Sequence, residues 1–127
     1  SEMCIRDRIK YIRILNEANN ILSQNKDKID KIKTILDLVR KRLENYNWIG
    51  IYLLKDDKLK LLVYSGDKET QHKEIPINKG LCGLAVRERK IINVPDVSLN
   101  KNYLECFPET KSELISPIFY NEEIKRF

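Results

Sequence analysis

The chain has 127 residues, 42% hydrophobic and 34% charged, with a formal net charge of +5. That is enough for one domain with a real core and too apolar for a disordered chain. No run of about 18 apolar residues exists, so no helical membrane span is expected; with no apolar signal region either, the expected compartment is the cytoplasm. Residues 1–47 hold 11 Lys/Arg against 7 Asp/Glu, whereas 48–127 are nearly balanced. No basic cluster is interleaved with aromatics, so the excess reads as solvated helix surface, and no nucleic-acid partner is expected. Three cysteines do not make a disulfide framework.

Residues 1–8, SEMCIRDR, resemble translated adapter sequence and are set apart as a non-native or disordered terminus, which removes Cys4 from consideration. Tyr11, Ile14, Leu15, Ala18, Ile21 and Leu22 recur at three- and four-residue steps, predicting one apolar helix face. Gln24-Asn25-Lys26 breaks that pattern, and Asp27 is placed to cap a second helix carrying Ile29, Ile32, Leu36, Val39 and Leu43. Residues 48–54, WIGIYLL, read as a strand with apolar residues on both faces, hence central in its sheet. Lys55-Asp56-Asp57-Lys58 turns the chain into a return strand over 59–65.

After a polar stretch, Ile75-Pro76-Ile77 is extended and Asn78-Lys79-Gly80 opens a short helix over 81–88. Residues 91–94 form a further strand closed by Pro95-Asp96. The stretch from 99 to 105 reads as loop with one helical turn, and 111–120 as a strand interrupted at Pro117. The final residues look like a hairpin turn without its partner strand. The pattern is α+β, a largely antiparallel sheet with helices. It predicts one domain over 9–127.

Chemistry concentrates at two cysteines. Cys82 lies in the first turn of the short helix, where the helix dipole and Lys79 favour thiolate; the alternative is a small apolar residue packed between Leu81 and Leu84. Cys106 lies in a loop just before Pro108. Glu113, at a strand start, points either to solvent or into the pocket under that loop, where a carboxyl could shuttle a proton. His72 is the sole histidine and makes no zinc spacing, so no metal site is expected. There is no phosphate-binding glycine loop and no G-x-S-x-G.

NWIGIYLL (47–54), IPINKGLCGLAV (75–86), VPDV (94–97) and KSELISPI (111–118) together resemble GAF domains, and specifically the GAF enzymes that reduce free methionine-(R)-sulfoxide. The likeness covers roughly residues 28–124. It implies a GAF-like fold, with the N-terminal helices on one face of the sheet and a ligand pocket under loops on the other, and a domain over 9–127 that lacks its C-terminal strand and helix. It implies that Cys106 attacks the sulfoxide sulfur and becomes a sulfenic acid, and that Cys82 then forms a disulfide with it. Trp48 and Tyr52 match the residues lining the substrate pocket, and Glu113 matches one of the acids that protonate the sulfoxide oxygen. The family's further cysteine is replaced here by the stretch Gln71-His72-Lys73, which leaves a two-cysteine cycle.

No cofactor is implied beyond reduced thioredoxin as electron donor. The implied partners are free methionine sulfoxide, thioredoxin and a second copy of the chain. Two other readings stand beside this one: a non-catalytic GAF module that binds a small ligand or senses redox state, and a dimerising scaffold built on the helices.

Overall fold

The computed structural model describes residues 5–70, 72–99, 112–120 and 123–124. Along the chain stand α1 (Ile5–Leu22), α2 (Lys28–Arg42), β1 (Trp48–Lys55), β2 (Lys58–Gly66), β3 (Glu74–Pro76), α3 (Gly80–Glu88), β4 (Ile92–Val94), a 3-10 turn (Val97–Leu99), β5 (Glu113–Ile115), β6 (Phe119–Tyr120) and β7 (Glu123–Ile124). Contacts divide them into two compact units. One holds α1, α2, the start of β1 and the end of β2; the other holds the turn end of that hairpin and everything from residue 69 onward.

In the first unit, α1 begins at Ile5, inside the stretch set apart above. Ile14 is its buried residue, with Ala18 and Ile21 half-buried beside it; Tyr11, Leu15 and Leu22 of the expected apolar face stay exposed. Asp27 caps α2 as expected: its Oδ2 accepts from the amides of Ile29 (3.0 Å) and Asp30 (3.2 Å). Lys31 ties the two helices by donating from Nζ to the carbonyls of Leu22 (2.9 Å) and Gln24 (3.2 Å), groups the end of α1 leaves unsatisfied.

Ser65 of β2 is fully buried, and its hydroxyl is satisfied twice, accepting from Arg40 Nε (2.8 Å) and donating to Asp37 Oδ1. Burial raises the Asp37 pKa, but the bonds from Ser65 and Lys33 and the nearby charges of Lys33 and Arg40 outweigh it and hold the carboxyl below its ordinary value. Ser65 therefore fixes which side of β2 meets α2.

The hairpin turn is Asp56-Asp57, both in the left-handed region (φ 53° and 60°), the pairing a two-residue type I′ connection needs. Among the described residues the sheet order is β1-β2-β3, with β2 hydrogen-bonded on both sides. The residues from Trp48 to Leu54 are half-buried throughout. An apolar pattern on both faces signals cover from above and below; it does not identify the neighbours alongside.

In the second unit, β2 and β3 pair antiparallel, Leu59 opposite Ile75, both buried. β4 and β5 pair antiparallel, Ile92 opposite Ile115 and Val94 opposite Glu113. α3 lies on that pair through a small core of Leu81, Val94 and Val97, with Leu84, Ile92 and Ile115 packed around it. The strand expected over 111–120 is broken between Ile115 and Phe119, where Pro117 cannot donate to a ladder, and resumes as β6, which pairs antiparallel with β7. Asp96 begins the 3-10 turn; the Ser98 hydroxyl (2.6 Å) and amide (3.0 Å) donate to Oδ1 and hold that carboxyl below its ordinary pKa. No described helix is long and apolar enough to cross a membrane.

Candidate active site

Trp48, in the first unit, opens β1. Its side chain occupies the space that β-carbons would fill at two glycines. A Cβ on Gly50 would lie 2.3 Å from Cη2, and one on Gly66 would lie 2.5 Å from Cδ1. The indole is stacked on Tyr64 with centroids 5.7 Å apart and an interplanar angle of 17°, and Nε1 donates to the Lys68 carbonyl (3.2 Å). Ser65 points toward α2, so strand alternation puts Tyr64 and Gly66 on the opposite side of β2, with the indole.

Tyr52, four residues further along β1, belongs to the second unit. Its hydroxyl donates to the carbonyl of His72 (2.7 Å). That carbonyl belongs to a short polar segment in which the His72 amide itself donates to the hydroxyl of the buried Thr70 (3.1 Å). One end of Tyr52 is therefore fixed.

Cys82 is the third residue of α3 and half-buried, between the buried Leu81 and Gly83. Two features set the height of this helix. Gly80, with φ 72°, turns the chain into it through a conformation that glycine adopts at no steric cost. Gly83 then passes so close to the preceding segment that a Cβ would stand 2.5 Å from the Ile77 carbonyl oxygen. Arg87, one turn on, donates from Nη1 to that same oxygen (2.6 Å). At the other end, Arg89 closes α3 in the left-handed conformation, its guanidinium 4.8 Å from the centre of the Phe119 ring.

Glu113 begins β5. Antiparallel partners share a face, and so do residues two apart; Glu113 therefore lies with Val94, Ile115 and Ile92 on the face that α3 covers. It is half-buried there, and burial pushes its carboxyl from 4.5 up to about 7. Of the two orientations open in the sequence, the structure gives the inward one. Cys82 and Glu113 thus belong to the same α3/β4/β5 layer. Cys106, with the rest of residues 100–111, lies outside the described residues, as does Cys4. Among the described residues, no group of three or more His, Cys, Asp or Glu side chains could hold a metal ion.

Sequence reading missed Tyr64 and Gly83. An aromatic-x-Gly on β2 opposite a Trp-x-Gly on β1 was a usable signal for the first. Gly83 gave none, because glycine inside a short helix looks like ordinary tolerance.

No family model matches the chain. The curated free methionine-R-sulfoxide reductase of Escherichia coli is 26% identical over 114 residues, covering 90% of this chain and 68% of that protein. Among solved structures, the type II free methionine-R-sulfoxide reductase (fRMsr) of Thermoplasma acidophilum superposes with a TM-score of 0.71 at 39% identity, over 74% of this chain and 66% of that one. The reduced fRMsr of Staphylococcus aureus superposes with a TM-score of 0.78 at 32% identity, over 90% of this chain and 73% of that one. GAF domains of other proteins share the fold at TM-scores of 0.82 and 0.80. The chain spans about two thirds of the length of the relatives it matches. With this α+β fold and that coverage of a 32%-identical fRMsr, the chain belongs to the GAF-fold free methionine-(R)-sulfoxide reductase family.

Proposed function

We propose that this chain reduces free methionine-(R)-sulfoxide to methionine, as its relatives' names describe. The observation that carries the reading is Glu113, a half-buried carboxyl on the face beneath the cysteine-bearing helix, raised by burial from 4.5 to about 7. A sulfoxide is a poor electrophile until its oxygen gains a proton, and an acid with a pKa near the working pH is suited to supply one.

In this reading the Cys106 thiolate attacks the sulfoxide sulfur while Glu113 protonates the oxygen. In the adduct the oxygen passes from the substrate sulfur to the Cys106 sulfur; the substrate S–O bond and the bond between the two sulfurs break, methionine leaves, and Cys106 is left as a sulfenic acid carrying the proton from Glu113. The Cys82 thiol then attacks the Cys106 sulfur, water departs, and a disulfide forms; a dithiol reductant of the thioredoxin class returns both thiols and re-supplies the two electrons. Trp48 and Tyr52 remain, in this reading, the substrate-binding residues that the family pattern assigns. No cofactor is required.

The decisive assay incubates the protein with free methionine-(R)-sulfoxide and either thioredoxin or dithiothreitol and quantifies methionine. Cys106→Ser is expected to abolish turnover, and Cys82→Ser to abolish the thioredoxin-driven cycle. A folded protein without turnover would move the assignment to the ligand-binding or redox-sensing module.

The protein also acts as a homodimer in this reading, supported by the apolar surface of α1, where Ile9, Ile12 and Leu15 are 45%, 56% and 63% exposed. Ile12→Asp with Leu15→Asp is expected to sediment as monomer where the unaltered chain sediments as dimer; a monomeric unaltered chain removes the pairing.

A further inference from the structure

We propose that Tyr64, with Gly50 and Gly66, seats the Trp48 indole and thereby sets how tightly the site grips its substrate. The inference rests on the reading of Trp48 as a wall of that site.

Three independent constraints act on one ring. The two glycines, one on each strand of the hairpin, leave open the volume the indole fills; at 2.3 and 2.5 Å, a β-carbon at either position and the ring exclude each other. The Lys68 carbonyl accepts from Nε1 and fixes rotation of the ring in its own plane. Tyr64 supplies a near-parallel partner at 5.7 Å, which fixes tilt. The Lys33 ammonium stands 5.9 Å from the Tyr64 ring centre, at the outer limit of a cation–π contact.

A binding wall made of a ring with defined position and tilt loses little freedom when a ligand arrives, whereas a loosely held ring must be ordered by the ligand. Tyr64 touches no reacting atom in this account. It acts through Trp48, and removing it should weaken binding more than it slows the chemistry.

Trp48 is the sole tryptophan of the chain, so its emission reports the seat directly. The experiment compares the unaltered chain, Tyr64→Leu, Tyr64→Phe and Gly50→Ala, each first shown to be folded by circular dichroism. Emission and anisotropy are recorded alone and during titration with free methionine-(R)-sulfoxide. Tyr64→Leu and Gly50→Ala are expected to lower the anisotropy or shift the emission and to weaken binding by about two- to tenfold, the worth of one aromatic pair. Tyr64→Phe, which keeps the stack, should restore both. In the turnover assay the loss should appear in KM, with kcat changed by less than about twofold.

Unchanged emission and affinity in Tyr64→Leu overturn the proposal, as does a loss confined to kcat. An unaltered chain whose Trp48 emission ignores the substrate also overturns it, but through the site assignment. In that case Tyr64→Leu still shifts the emission, so the two failures are told apart.

Discussion

Glu113→Gln is expected to lower the turnover of methionine-(R)-sulfoxide by about a hundredfold or more, the range general acid catalysis supplies. The same substitution should raise stability at alkaline pH. The carboxyl has an ordinary value of 4.5 and stands at about 7 in the folded chain because it is buried beneath α3. Between those values the folded state holds a proton that the unfolded state has released, so stability falls as pH rises through the window. Below 4.5 both states are protonated and the group is silent; above 7 the buried carboxylate weighs in full. At about 1.4 kcal/mol per unit the ceiling is about 3 kcal/mol, and because the side chain is only half-buried, about 2 kcal/mol is the reasonable expectation.

Urea unfolding at pH 5 and pH 8 checks this. The unaltered chain should lose about 2 kcal/mol more than Glu113→Gln between the two. Equal losses would place the pH dependence elsewhere. The kcat/KM profile offers a second reading, since the descending limb near pH 7 should be missing from whatever activity the amide retains.

Gly83→Ala is expected to destabilise the protein by about 1–3 kcal/mol, against the usual sign for such a change. In an unconstrained helix interior, alanine is better than glycine by about 0.5–1 kcal/mol. Here the added methyl would stand 2.5 Å from the carbonyl oxygen and 3.0 Å from the carbonyl carbon of Ile77, and backbone cannot rotate aside as a side chain can. Either α3 lifts off the segment over 77–79 or that segment moves, and both stretch the Arg87–Ile77 bond. Because Cys82 is the neighbouring residue, the displacement carries the thiol with it, and turnover should fall together with the melting temperature. A stabilised Gly83→Ala protein would show that α3 has room to spare and that its height is set elsewhere.

Legibility in the sequence followed how local the cause was. Asp27 capping α2, the strand beginning at Trp48, the Asp56-Asp57 turn and the break at Pro117 each depend on a few neighbouring residues, and all were readable. The exposure of Tyr11, Leu15 and Leu22 was not, because periodicity shows that a helix has an apolar face and not how much of it the same chain covers. The pairing of β3 with β2 was not legible either, because an apolar run does not encode its neighbours. At the site, residue types were legible through family motifs. The inward face of Glu113 was not, since it follows from the register of β5 on β4, and one residue of slip would have turned it outward.

The Asp56-Asp57 turn carries a last consequence. Hairpin tips are where chains ordinarily accept extra residues, by evolution or by tagging, because nothing depends on the tip. Here the Asp57 carbonyl accepts from the Ile77 amide at 3.0 Å, and Ile77 is the residue on which Gly83 and Arg87 of α3 rest. An epitope spliced between Asp56 and Asp57 would therefore disturb the support of the cysteine helix, and a graft on this protein belongs at some other surface turn.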